Sequence, residues 1–121
     1  MRVPQPLLAL LLCLCSAPLF AAPGAQARAE IGALLNFVEH SDCHFIRNGS
    51  EYSPADARAH LQQKLDYLEG KDLVNSAEDF IERAASKSSM SGKPYQVRCA
   101  DGQHDAGAWL TTELKRLRQA P

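Results

Sequence analysis

The sequence predicts an α+β domain that is mainly helical, with about four helices around a small antiparallel β element and one disulfide bond. Three observations lead to this fold class. Apolar residues recur at helical spacing in four segments, two short segments alternate between apolar and polar residues, and two cysteines lie outside the N-terminal apolar run. A chain of this length has room for one domain with a modest core.

The N-terminal residues 1–27 have the pattern of a secretory signal peptide. Arg2 supplies the positive start, residues 7–14 the apolar centre, and residues 25–27 the small-residue cleavage pattern. The apolar run is too short to span a bilayer. We therefore expect residues 28–121 to form a single small globular domain that is exported to the periplasm, with no stable membrane insertion after cleavage.

The charge of the chain argues against nucleic acid as a partner. Removing the predicted signal changes the formal net charge only from −1 to −2, because that segment holds one charged residue, Arg2. Acidic and basic residues are interspersed along the rest of the chain. Proteins that bind nucleic acids or anionic membranes usually carry a strong positive field, and this chain is not expected to have one.

A β-hairpin is predicted between Cys43 and Tyr52. Apolar and polar residues alternate from Cys43 to Arg47, and the Asn48-Gly49 pair that follows is the strongest short hairpin signal, since both residues tolerate positive φ. Because this stretch combines a cysteine, a strand and a turn, we expect the rest of the domain to pack onto it.

Two helices are predicted on either side of this hairpin. The first occupies residues 28–41, where four apolar residues share one face. The second has the clearer start, because Ser53 is a suitable N-cap and Pro54 takes the first helical position. Gly70 is expected to end it in a left-handed conformation. The apolar residues of the first helix are Ile31, Leu34, Leu35 and Val38.

Two further helices follow in the second half of the chain. The third begins at Asn75 or Ser76, where an acidic residue completes the cap, and the fourth begins at Asp105, after a turn at residues 101–102. Between them, residues 86–94 are too polar to continue a helix and are predicted to be a surface loop. The buried faces are predicted to hold Phe80, Ile81, Ala84 and Ala85 in the third helix and Leu110, Leu114 and Leu117 in the fourth.

A second strand is predicted over residues 95–99, and it ends on Cys99. After export, a bridge between Cys43 and Cys99 is the expected state in an oxidising compartment. It would place the two Cα atoms about 6 Å apart and stabilise the fold by about 4 kcal/mol. A pair of free catalytic thiols is the alternative.

A metal site is not expected, although His40, Asp42, Cys43 and His44 form the densest cluster of possible ligands. Cys43 is engaged in the predicted bridge, and the strand that begins there turns His44 away from His40. A specific site needs three or four converging ligands. The sequence therefore predicts neither a metal nor another cofactor.

Several short motifs resemble a known family. They are residues 45–49, Tyr52, the serine-rich run through residues 85–95, and residues 109–110. Together they resemble a family of small exported proteins of Gram-negative bacteria that is catalogued as a domain of unknown function. The resemblance implies a single periplasmic domain and brings no activity, cofactor or catalytic residue.

The sequence favours a binding or interaction module of the cell envelope, whose partner would be an envelope protein or a glycan. If the disulfide brings the hairpin and the serine-rich loop together, their polar residues form one surface. The alternative is a small envelope hydrolase acting on cell-wall or glycan material, with His44 or His104 as the base, but so small a domain leaves little room for a deep cleft. The candidate binding residues are Arg47, Asn48, Tyr52, Lys87, Ser89, Ser91, Lys93 and Tyr95.

Overall fold

The computed structural model describes residues 24–120, which form four helices and a four-stranded sheet. This confirms the predicted fold class. No helix in this part of the chain is both long enough and apolar enough to cross a membrane. The elements are α1 (Ala25–His40), β1 (His44–Arg47), β2 (Ser50–Tyr52), α2 (Pro54–Glu69), α3 (Ala77–Phe80) with a π-helical continuation (Ile81–Ala85), β3 (Gln96–Cys99), β4 (Gly102–Asp105) and α4 (Ala106–Gln119).

The sheet is antiparallel throughout and has the strand order β2-β1-β3-β4. Phe45 of β1 lies opposite Val97 of β3, and both are buried, whereas His44 and Arg98 on the other face are exposed. The helices therefore cover one face of the sheet. Their shared core contains the largest fully buried side chains: Tyr95, Phe80, Leu34, Leu61, Leu110, Val38, Val74 and Val97.

The predicted bridge between Cys43 and Cys99 is present, and it joins the start of β1 to the end of β3. The two Cα atoms lie 4.4 Å apart, closer than the expected 6 Å. The antiparallel register that places His44 opposite Arg98 also brings the two cysteines opposite each other. The bond therefore closes one end of the central strand pair.

Strand β4 was not predicted. Its four residues are mostly exposed and carry no apolar alternation, so the usual signal of a half-buried strand is missing. The register of β3 and β4 makes a hairpin in which Cys99 pairs with Gly102, so the turn lies at residues 100–101, one residue earlier than expected. Asp105 does precede α4, but its side chain accepts from Gln96 Nε2 and makes no cap hydrogen bond.

The ends of the first two helices differ from expectation. Helix α1 begins at Ala25 instead of residue 28, so the predicted cleavage pattern forms its first turn. Residues 1–23 of the predicted signal lie outside the described residues. Gly70 is right-handed, with φ of −63°, and Asp72 takes the left-handed conformation, with φ of 58°. The expected left-handed end therefore falls two residues later, where Leu73 N donates to Leu68 O.

Helix α3 starts as predicted. Ser76 Oγ accepts from Asp79 N at 3.0 Å, and the Asp79 carboxylate accepts from Asn75 N at 2.9 Å. The continuation after Phe80 has the wider π-helical turn, which the apolar pattern does not reveal. Ser86 Oγ donates to Ile81 O at 2.6 Å and closes the end of this segment.

Candidate functional site

The hairpin turn has the predicted geometry. Asn48 and Gly49 both have positive φ, 50° and 83°, which matches a two-residue hairpin loop. Before the turn, Arg47 is half-buried, and its guanidinium donates to the Tyr52 hydroxyl at 3.1 Å. The guanidinium carbon also lies 5.2 Å from the centre of the Tyr52 ring, a cation–π distance. The turn therefore presents an oriented arginine.

The serine-rich loop is hydrogen-bonded to this turn through Asn48. Asn48 Nδ2 donates to Ser88 Oγ at 3.3 Å, and Ser91 Oγ donates to Asn48 Oδ1 at 2.6 Å. Ser88 is only 3% exposed, and its hydroxyl also accepts from the backbone of Met90 and Ser91. Residues predicted as a plain surface loop are thus ordered around one buried serine.

The disulfide does not lie where these two loops meet. It joins the far end of β1 to the far end of β3, whereas the hairpin turn follows Arg47 and the loop precedes Tyr95. The two loops meet because antiparallel pairing places the end of β1 beside the start of β3. The bridge stabilises that pairing from the opposite end.

Helix α2 adds two residues that the sequence analysis missed, His60 and Lys64. Lys64 Nζ donates to the Tyr95 hydroxyl and to Lys87 O, each at 3.1 Å, and His60 Nε2 lies 3.3 Å from the same hydroxyl. Tyr95 itself is only 2% exposed. One signal was available, because His60 and Lys64 are four residues apart on a helix and each directly precedes a leucine of the apolar stripe.

Burial changes the acid–base properties of this cluster. Burial lowers the pKa of Lys64, and the Arg47 charge lowers it further. Burial also lowers the pKa of His60, with smaller effects from Arg47 and Lys64, and it raises the pKa of Tyr95. Because Lys64 donates to the Tyr95 oxygen, the hydroxyl proton is free to point at Nε2 of a neutral His60.

Four cations of this region form no ion pair within the part of the chain that the structure describes. None of the ion pairs within residues 24–120 involves Arg47, Lys64, Lys87 or Lys93. Arg47 and Lys64 are half-buried, whereas Lys87 and Lys93 are exposed. Together these cations give this face of the domain an uncompensated positive charge. For the two half-buried cations this is unfavourable, because they have lost hydration without gaining a counterion.

Acidification is expected to destabilise the fold through His60. In the folded protein the pKa of His60 lies below the ordinary value of 6.5. Between the folded-state pKa and 6.5, the unfolded chain therefore binds more protons than the folded one. The free energy of unfolding should therefore fall as the pH drops below 6.5. Urea denaturation at about pH 7 and about pH 5 should show a larger loss for the wild type than for His60→Gln. Parallel losses in the two proteins would contradict this expectation.

Two adjoining cavities lie beside the cluster and share His60. The smaller one is almost filled by Phe45, Arg47, Tyr52, Ala57 and Tyr95. The other, which we call the α2 cavity, has a volume of about 350 Å³ and is lined by His60, Gln63, Lys64, Tyr67, Leu68 and Ser89. The α2 cavity lies between α2 and the serine-rich loop.

A larger cavity, of about 570 Å³, lies elsewhere, between the π-helical segment and α4. Arg118 at its rim is held by the carboxylates of Glu30 and Glu78, so this cation is already neutralised. Three acidic residues line this cavity together with its cations, whereas no acidic residue lines the α2 cavity beside Lys64. We take the region around Tyr95 as the candidate site for that reason.

The remaining candidates do not converge with it. His40 Nδ1 contacts Asn36 O in its own helix, and His104 Nε2 lies 3.0 Å from Asp101. Cys99 lies near Asp101 and His104, but its sulfur is bonded to Cys43. Within the described residues, neither His44 nor His104 has a hydroxyl as hydrogen-bond partner, so the geometry does not support either of them as the base of the hydrolase alternative. The histidine that contacts a hydroxyl beside a cavity is His60, but its partner, the Tyr95 hydroxyl, belongs to a buried residue and also accepts from Lys64.

Comparison with known proteins identifies the family without an activity. The chain is similar to the Salmonella typhimurium protein named "Uncharacterized protein YfeK", with 38% identity over 79 residues that cover 64% of each chain. No solved structure matches the chain. The model of a family of unknown function, DUF5329, matches residues 25–118, which include the hairpin, α2, the serine-rich loop and the sheet. The chain therefore belongs to this family of unknown function.

Proposed function

We propose that the protein is a periplasmic binding module of the cell envelope that recognises a negatively charged partner. The binding face, which we call the hairpin–loop surface, combines the β1–β2 turn with the serine-rich loop above α2. Its residues are Arg47, Asn48, Tyr52, Lys87, Ser89, Ser91, Lys93 and Tyr95. Tyr95 contributes indirectly, because its ring is buried and its hydroxyl accepts a hydrogen bond from Lys64 Nζ.

The observation that carries this proposal is the pair of half-buried, uncompensated cations, Arg47 and Lys64. Taking a cation out of water is costly unless an opposite charge or several hydrogen bonds replace the lost hydration. Tyr52 supplies a hydrogen bond to Arg47, and Tyr95 with Lys87 O supplies two to Lys64, but none of these groups is an anion. An acidic group on a partner would supply the negative charge that these two cations lack.

The proposed location rests on two features of the chain. The N-terminal pattern is that of an export signal, and the fold contains a disulfide of a kind that persists in oxidising compartments. Both features suit a protein of the envelope. An envelope protein or glycan that carries acidic groups is the corresponding partner.

A capture experiment tests the proposal. The oxidised protein is immobilised, and its partners are taken from an envelope extract. Arg47→Ala with Lys93→Ala should reduce specific capture about tenfold or more, because each lost charged hydrogen bond is worth about 1.5–3 kcal/mol. The matched control, Arg83→Ala with Lys115→Ala, removes two exposed cations outside the hairpin–loop surface and should leave capture unchanged.

Both double variants must keep the thermal unfolding midpoint of the wild type within a few degrees. Equal capture by the wild type and the Arg47/Lys93 variant would reject the hairpin–loop surface as the binding face. Capture that the control lowers as strongly would show only a nonspecific charge effect, and it would also count against the proposal.

A further inference from the structure

We propose that the α2 cavity binds an acidic sugar. This inference specifies the chemistry of the partner proposed above, and it rests on that proposed function. The cavity is a different surface from the one tested by Arg47 and Lys93, although Ser89 belongs to both. The ligand would be a sugar ring with a carboxylate substituent, such as a residue of an acidic envelope glycan. Two independent features of the cavity lead to this ligand class.

The first feature is an ammonium group with a free donor. Lys64 lines the cavity, and two of its three N–H bonds are used by the Tyr95 hydroxyl and by Lys87 O. The third has no acceptor among the described residues and remains for a ligand. The residues that line the cavity include no aspartate or glutamate, and the only other titratable basic group among them is His60. A carboxylate is the group that this environment lacks.

The second feature is an exposed aromatic ring at the lip of the same cavity. Tyr67 is 64% exposed, although large aromatic residues usually gain by burial. Lys71 Nζ lies 5.2 Å from the ring centre, so the ring already attracts a positive group, and its 64% exposure leaves ring surface open to a ligand with positively polarised groups. The C–H groups on one face of a sugar ring have this polarity, and they stack on aromatic rings for the same reason.

The remaining polar groups suit hydroxyl recognition. The Gln63 amide offers both a donor and an acceptor, and the Ser89 hydroxyl can act as either, which matches the vicinal hydroxyls of a pyranose. The volume of about 350 Å³ lies at the lower end of the range for ligand pockets, about 300–1,000 Å³. It therefore fits a single substituted sugar, whose chain would continue past Tyr67 into solvent.

The test is an NMR titration of the ¹⁵N-labelled, oxidised protein with three probes. N-acetylmuramic acid carries the ring and a carboxylate, N-acetylglucosamine carries the same ring without the carboxylate, and acetate supplies the charge alone. We expect N-acetylmuramic acid to shift the Ser89 and Tyr67 signals with a Kd of about 1 mM or tighter. The neutral sugar and acetate should each bind at least about tenfold more weakly.

Two variants assign the roles. Lys64→Met should abolish the preference for the acidic sugar over the neutral one, and Tyr67→Ala should weaken both sugars by about tenfold without affecting the fold, because the ring is exposed. Lys115→Met is the matched control, because it removes an exposed lysine of α4 that does not line the α2 cavity, and it should bind like the wild type. Lys64→Met is used only if its amide spectrum remains that of a folded protein; Tyr67→Ala decides the sugar contact in either case.

Three outcomes would overturn the inference. Equal binding of both sugars would remove the role of Lys64, equal binding of acetate and N-acetylmuramic acid would remove the sugar, and no saturable shift would exclude the site. None of these results touches the capture experiment with Arg47 and Lys93. The failure of the sugar site and the failure of the proposed binding module can therefore be told apart.

Discussion

Removing the bond between Cys43 and Cys99 is expected to lower the free energy of unfolding by about 4 kcal/mol. The bridge joins residues 56 positions apart in the chain, and a cross-link over a loop of this length removes a corresponding amount of conformational entropy from the unfolded state. For a domain of this size, the unfolding midpoint should fall by about 15–30 °C. Since small domains have a total stability of about 5–15 kcal/mol, this is a large share.

Urea denaturation of the oxidised protein, of the dithiol-reduced protein and of Cys43→Ala with Cys99→Ala measures this effect. The reduced and the doubly substituted proteins should agree within about 1 kcal/mol, since truncating one buried sulfur adds only a small cavity. Both should unfold with a steeper dependence on urea, because the unbridged chain exposes more surface. A loss below about 1 kcal/mol with an unchanged slope would contradict the expected role of the bridge.

Phe80→Ala is expected to cost about 3–5 kcal/mol, the usual loss when a fully buried aromatic ring is truncated. Phe80 is 0% exposed and lies where α3 passes into the π-helical segment. Its ring is among the largest fully buried side chains of the core. Helix α3 packs against α1, and its π-helical continuation packs against α2 and α4, so the loss should appear as a lower unfolding midpoint.

Circular dichroism during urea unfolding measures this loss, with Met90→Ala as the control. Met90 is also a large apolar residue, but it is 93% exposed in the serine-rich loop, and truncation there should change stability by no more than about 0.5 kcal/mol. If Phe80→Ala cost no more than Met90→Ala, the core packing described for α3 would be wrong.

Local rules predicted most elements of the fold correctly. Ser53 with Pro54 gives the start of α2, and Ser76 gives the start of α3, because a cap depends on residues within one turn. The Asn48-Gly49 turn is equally local. Local rules failed at Gly70, where the left-handed residue is Asp72, and at β4, whose polar residues pair with β3 through backbone groups that leave no pattern in the side chains.

The candidate site was predicted only in part. The hairpin and the serine-rich loop were recognised from their composition, and Asn48 does connect them. His60 and Lys64 were missed, because on the sequence they are an ordinary pair on the polar side of a helix. Their role arises from Tyr95, which is 35 positions from His60 along the chain and reaches both through the core.

The sequence by itself determined the starts of α2 and α3, the hairpin turn and the pairing of the two cysteines, since these depend on side-chain types within a few residues or on a choice of only two thiols. The tertiary structure alone decided which charges are desolvated. Lys64 becomes an uncompensated, half-buried cation only because α2 packs against Tyr95 and the loop carbonyl of Lys87, and the cost of a buried charge depends on every neighbour brought within a few ångströms by packing.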